Sequence, residues 1–95
     1  MGATVGLLHL QLRIPQAGSL KDKRRAVKSF KDRVRHGHNV SVAEVDYKEN
    51  YRMALLAVAM TGDDRRYIEG GLQKIQNAAA NHRDMILIES TVEWF

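Results

Sequence analysis

The sequence predicts an α+β fold with elements in the order βαββαβ. Three observations predict it: four segments alternate apolar and polar residues or run apolar at strand length, two repeat apolar residues at helical spacing, and turn-forming residues separate them. The chain has 95 residues, 44% of them hydrophobic and 27% charged, the size and composition of one small globular domain occupying residues 1–95.

From Thr4 to Ile14, Gly6, Leu8, Leu10, Leu12 and Ile14 share one face, and Val5, Leu7, His9, Gln11 and Arg13 share the other, as in a half-buried strand. Pro15-Gln16-Ala17-Gly18 breaks it. Ser19, with Asp22 three residues later, forms a capping pair for the first helix, although Asp is shorter than the usual Glu. Between Leu20 and Arg35, Leu20, Val27, Phe30 and Val34 fall on one side of a wheel drawn at about 100° per residue, with Ala26 on its flank. The helix is expected to stop at His36-Gly37-His38, with Gly37 in the left-handed conformation that ends many helices.

A valine-rich strand follows over residues 39–47, and Lys48-Glu49-Asn50 turns it into a hairpin. The next strand, residues 51–60, is apolar on both faces, which suits a central position covered on both sides. Thr61-Gly62-Asp63-Asp64 leads into a second helix, where Ile68, Leu72, Ile75 and Ala79 recur at helical spacing as far as about Asn81. Gly70-Gly71 interrupts this helix at a cost of about 1 kcal/mol per residue relative to alanine, so the helix either packs very closely there or is locally weak. The last strand, residues 85–94, alternates: Ile86, Ile88, Val92 and Trp94 share one face, and Met85, Leu87, Glu89, Thr91 and Glu93 the other. This order is that of a ferredoxin-like sandwich, a four-stranded antiparallel sheet with both helices on one face and the other face open.

The chain has no cysteine, which excludes disulfides, thiolate metal sites and cysteine nucleophiles and fits a reducing, cytoplasmic setting. Its first eight residues lack the basic region of a signal peptide and read as a strand, and no apolar run approaches the roughly 20 residues needed to cross a bilayer. No membrane association is expected.

The clearest functional clue is the placement of charge. Lys21 to Arg35 holds eight basic and two acidic residues, a net of +6, so with a total of +4 the rest of the chain carries −2. On the helical wheel Lys21, Arg24, Arg25, Lys28, Lys31 and Arg35 occupy one arc of about 120°. Such a ridge can follow a phosphate backbone, releasing condensed counterions as each cation meets a phosphate. A solvated charged face is the plain alternative, but like charges three and four residues apart repel by a few tenths of a kcal/mol per pair, and stability alone would favour more acids among them. The ridge is therefore expected to bind an anionic partner, RNA or a ribosomal particle. At Gly18-Ser19-Leu20-Lys21 a helix start beside cations suggests a phosphate contact, but plain capping by Ser19 is the commoner arrangement.

Ile14-Pro15, Ser19-Leu20-Lys21-Asp22-Lys23-Arg24, Val27-Lys28-Ser29 and Asn39-Val40-Ser41-Val42-Ala43-Glu44-Val45 together form a pattern that resembles the YlxP-like family of small bacterial proteins. That family has no assigned function, and the similarity covers nearly the whole chain; the tail and the glycine pair are less typical of it. The resemblance implies a ferredoxin-like fold and a cytoplasmic bacterial protein, often encoded among translation and ribosome-maturation genes. It supplies no catalytic residues.

The residues themselves offer none either. No nucleophile elbow, phosphate-binding loop or zinc helix is present. His36 and His38 lack a third ligand nearby and suit the negative end of a helix, so no metal and no cofactor are expected. His9 receives no role. Glu89 and Glu93 lie about 13 Å apart at strand rise, too far to share a proton. Base stacking on the sheet is disfavoured, because the first and third strands present Leu8, Leu10, Met53, Leu55 and Ala57 where RNA-binding sheets carry aromatics.

A competing expectation is a homodimeric interaction module without nucleic-acid binding. By strand phasing the open sheet face carries Val5, Leu7, Met53, Leu55, Met85 and Leu87, an apolar patch large enough to call for a partner, for which a second copy is the commonest solution. A third and weaker expectation is an enzyme or small-ligand sensor, since this fold hosts both.

Overall fold

A computed structural model describes residues 2–95. Its elements are β1 (Thr4–Arg13), α1 (Leu20–Gly37), β2 (Val40–Asp46), β3 (Met53–Gly62), α2 (Arg65–Ala80) and β4 (Ile86–Trp94). The strands form one antiparallel sheet in the order β2-β3-β1-β4, the ferredoxin-like arrangement. No helix among the described residues is long and apolar enough to cross a membrane.

Alternation in the central strands sets the core. Leu8, Leu10 and Leu12 of β1 and Ala54, Leu56 and Val58 of β3 are fully buried, facing Val27, Phe30 and Val34 of α1 and Ile68, Leu72, Ile75 and Ala79 of α2. Gly6 lets α2 approach β1 closely, for a Cβ there would lie 2.8 Å from Leu72 and 2.9 Å from Ile68 and Trp94. Gly71 serves the same purpose from the helix side, where a Cβ would meet the Met60 thioether at 2.7 to 2.9 Å. Close packing, not a local weakness, therefore explains the second glycine of the pair.

Both helix starts are capped, that of α1 by the pair the sequence suggests. The Ser19 hydroxyl accepts from the Asp22 N–H at 3.1 Å, and the Asp22 carboxylate reaches back to the N–H of Gly18 at 2.9 Å, one residue before the cap. Asp64 caps α2 through the Arg66 N–H at 3.0 Å. The end of α1 differs from expectation: no glycine has a positive φ, Gly37 is the last helical residue, and the extended His38 closes the helix by donating its N–H to the Val34 carbonyl at 3.0 Å.

The largest departure lies in β4. A bulge between Gln11 and Leu12 in the β1–β4 pairing inserts one residue into β4 and inverts its alternation. Val92 and Trp94 pair with Leu8 and Gly6 on the helix-facing side, as the phasing predicts, but before the bulge Leu87 pairs with Leu12 on that same side. Met85 is only 3% exposed and belongs to the core, and Leu87 packs against it. Neither residue lies on the open face, whereas Ile86 and Ile88 are exposed.

Candidate nucleic-acid interface

α1 carries its basic residues in two different ways. Lys21, Arg24, Arg25, Lys28 and Arg35 are exposed and Lys31 is half-exposed, all on the arc away from the core. The ridge leans toward the β2 edge: Arg24 and Lys31 line a cleft with Val42, Ala43, Glu44, Lys48 and Glu49. On its other flank Arg25 borders a hollow that also contains Asp22, Ser29 and Asp84. Lys28 is paired with Asp32 at 2.6 Å, and that hydrogen bond is the main reason the Asp32 carboxyl titrates below its ordinary value. Arg35 donates to the Val42 carbonyl on the β2 edge at 2.8 Å. Lys21, Arg24, Arg25 and Lys31 form no hydrogen bond or ion pair through their side chains among the described residues, which leaves four cations without a bonded partner between Lys21 and Lys31.

Lys23 is the opposite case, with 1% of its surface exposed. Its ammonium donates to Glu44 Oε2 at 2.8 Å, the Tyr47 carbonyl at 2.8 Å, the Met53 carbonyl at 3.1 Å and, at 3.4 Å, the Lys48 carbonyl. These acceptors all belong to β2, β3 and the turn between them, so one side chain ties α1 to that hairpin. The turn contains Tyr47 at φ 61°, the left-handed region that a bulky residue enters only when its surroundings hold it there. Hydrogen bonds from Lys23 and from the Asn50 N–H to the Tyr47 carbonyl supply that hold.

Sequence reasoning counted Lys23 as charge and overlooked its position. The signal was present: on the wheel Lys23 falls between Val27 and Phe30, inside the apolar stripe, and Glu44 shares the core-facing phase of Val40 and Val42. A lysine and a glutamate that both point into the core are expected to meet, because neither is stable there alone.

The open face is less apolar than the phasing implied. Val5, Leu7, Met53 and Leu55 do lie there, each half-buried, but Leu7 is flanked by Ala59 and Glu93, and His9 and Gln11 continue the central row. His9 Nδ1 stands 3.9 Å from the Glu93 carboxylate. With Met85 and Leu87 on the other side of the sheet, no continuous six-residue patch forms. Exposed apolar side chains lie instead along β4, at Ile86, Ile88 and Val92, and beyond it at Phe95. No cluster of three or more possible metal ligands occurs among the described residues.

The family described as "Protein of unknown function (DUF503)" matches residues 5–92. The chain belongs to that family. A curated relative, the uncharacterized protein YlxP of Bacillus subtilis (strain 168), is 28% identical over 91 residues, covering 96% of this chain and 99% of that protein. The solved structure of the de novo designed protein Foldit4 is similar with a TM-score of 0.58 at 19% identity, covering 99% of this chain and 97% of the other, a likeness of fold alone. Lys23 of Ser-Leu-Lys-Asp-Lys-Arg and Glu44 of Val-Ala-Glu-Val are the two residues that meet in the ion pair between α1 and β2.

Proposed function

We propose that the protein is a non-enzymatic RNA- or ribosome-associated binding protein whose contact surface is the ridge Lys21, Arg24, Arg25, Lys28, Lys31 and Arg35. The observation that carries this reading is the group of cations without partners on α1, next to a buried lysine whose partners are complete. Where charge serves the fold it is paired; on the ridge most of it is not. From Lys21 to Arg35 the ridge extends about 21 Å at helical rise, long enough to meet several phosphates. Its side chains are all Lys or Arg, which suits recognition of the backbone more than of the bases.

The test is binding to purified ribosomal particles and to structured RNA at two salt concentrations. Affinity should fall steeply with salt, and the combined replacement Arg24→Glu, Lys28→Glu and Lys31→Glu should abolish it with the circular dichroism unchanged. A flat salt response, or unchanged affinity of the folded variant, contradicts the reading.

The second reading, a homodimer, is favoured by a different surface from the one the strand phasing chose. Ile86, Ile88 and Val92 are between 39% and 46% exposed on an edge strand, the kind of edge that pairs with another chain. The opposite edge, β2, is partly occupied by Arg35 at the Val42 carbonyl. Sedimentation of the protein as a dimer that Ile88→Lys dissociates would support this reading; a monomer at high micromolar concentration would remove it.

A further inference from the structure

A cleft beyond the C-terminal end of the α1 ridge carries a second set of cations. It lies between the C-terminal end of α1, the end of β3 and one side of α2, and is lined by Gly37, His38 and Asn39, by Met60 and Thr61, and by Arg66, Tyr67, Gly70, Gly71 and Lys74. Its volume is about 460 Å³, within the range of small-molecule sites. The lining contains Arg66, Lys74 and His38 but no carboxylate. Neither the Arg66 nor the Lys74 side chain forms a hydrogen bond or ion pair among the described residues. By contrast, Arg65 on the other side of α2 pairs with Glu69 at 3.3 Å and stacks on Trp94 at 4.4 Å.

Two further features distinguish this side of α2. Tyr67 is 76% exposed, the most exposed of the large apolar and aromatic side chains among the described residues. Outside the adjoining helix backbone nothing lies within 4 Å of where a Cβ on Gly70 would stand, so, unlike Gly71, its lack of a side chain serves no internal packing. A bare glycine in an exposed helix interior is unfavourable by itself, and it is accounted for if something outside the chain approaches the backbone there. On the helical wheel Arg66, Gly70, Lys74, Tyr67 and Gly71 follow one another within an arc of about 140°.

From this arrangement we propose that the cleft binds a nucleotide, with its phosphate between Arg66 and Lys74 and its base against Tyr67 and the bare backbone at Gly70. Cations without partners select the anion; an exposed aromatic ring beside a flat glycine surface selects a planar group, since any nucleobase presents a π-face to stack. Asn39 and Thr61 add neutral hydrogen-bonding groups at the far wall. The site does not depend on the α1 ridge and stands whether or not that ridge binds RNA. The nucleotide is either a free mononucleotide or an unpaired unit of a strand, and both present the same chemistry to the cleft.

Amide chemical shifts followed by NMR during titration with adenosine 5′-monophosphate, adenosine, inorganic phosphate and a short single-stranded oligonucleotide test this directly. The monophosphate should shift the amides of His38, Asn39, Gly70 and Gly71 and should bind more tightly than adenosine or phosphate alone. Arg66→Gln and Lys74→Gln should each weaken it about tenfold, the loss of one charge-assisted hydrogen bond, and Tyr67→Ala by a similar factor. Gly70→Glu should abolish binding while the protein stays folded by circular dichroism. Tighter binding of the oligonucleotide than of the monophosphate assigns the site to a strand, and equal or weaker binding to a free nucleotide. The proposal is overturned if phosphate alone binds as well as the monophosphate, or if every ligand leaves Gly70 and Gly71 unmoved, including the case in which shifts appear only along residues 21–35.

Discussion

Lys23 and Arg24 are neighbours on one helix with the same charge, and the fold treats them in opposite ways. Lys23 is enclosed by a carboxylate and backbone carbonyls of the β2–β3 hairpin, whereas Arg24 projects from the ridge with no bonded partner. About 100° of helical rotation separates them. The difference shows that the +6 segment is two structures: an internal clamp that positions the hairpin and an outer surface whose positive charge the rest of the chain does not neutralise. Composition alone merges them.

The comparison breaks most decisively at the clamp. Lys23→Met should destabilise the protein by about 3 to 5 kcal/mol, because it takes the ammonium away from the Glu44 carboxylate and from the Tyr47, Lys48 and Met53 carbonyls. Arg24→Met should change stability by less than about 0.5 kcal/mol. Urea unfolding of the two variants checks both, and equal effects would mean that the buried and exposed positions are not distinct. Phe30→Ala, beside the clamp on the buried stripe, should also cost about 3 to 5 kcal/mol, since Phe30 is fully buried.

Those elements whose own residues determine their shape were legible from the sequence. The Ser19 cap of α1, the apolar stripes of α1 and α2, and the alternation of β1 could be read because each is a local pattern. The phase of β4 could not. Its bulge arises opposite Gln11 and Leu12, so it is set by a pair of strands, and Met85-Ile86-Leu87-Ile88, apolar at every position, leaves the phase of β4 open in the sequence. Assigning Met85 and Leu87 to the open face follows directly from missing that extra residue. The end of α1 departs from expectation for a related reason: Gly37 permits a left-handed cap, but His38 closes the helix in extended conformation. The ridge was legible because exposed charge needs no partner; the clamp was not, because it required matching the phase of α1 with that of β2.

A smaller effect is expected where packing replaces charge. Gly6→Ala should cost about 1 to 3 kcal/mol, because its methyl group would overlap Leu72, Ile68 and Trp94 where α2 lies closest to β1. Thermal unfolding would show it, and a neutral result would mean that α2 can shift away from the sheet. On the ridge, neutralising Arg24, Lys28 and Lys31 to glutamine should leave stability within about 0.5 kcal/mol, with a slight gain where repulsion between neighbouring turns is relieved.

The smallest expected effect is electrostatic. The Lys28 hydrogen bond lowers the titration of Asp32 below 3.8, so its stabilising contribution is present above that value and is lost as the pH falls through the lowered pKa. Lys28→Gln should move the NMR titration of Asp32 upward. No movement would mean that this pair does not form in solution and that Lys28 is as free as its ridge neighbours.

The central claim, that the outer arc of α1 is a phosphate-binding surface and the inner lysine is not, is tested most directly by the salt dependence of RNA affinity. Plots of log affinity against log salt should be steep for the unmodified protein and flatter by about 2 to 3 in slope for the glutamine triple variant, at roughly 0.7 to 0.9 for each phosphate that the protein no longer neutralises. Parallel slopes for the two proteins, both folded, would contradict the account.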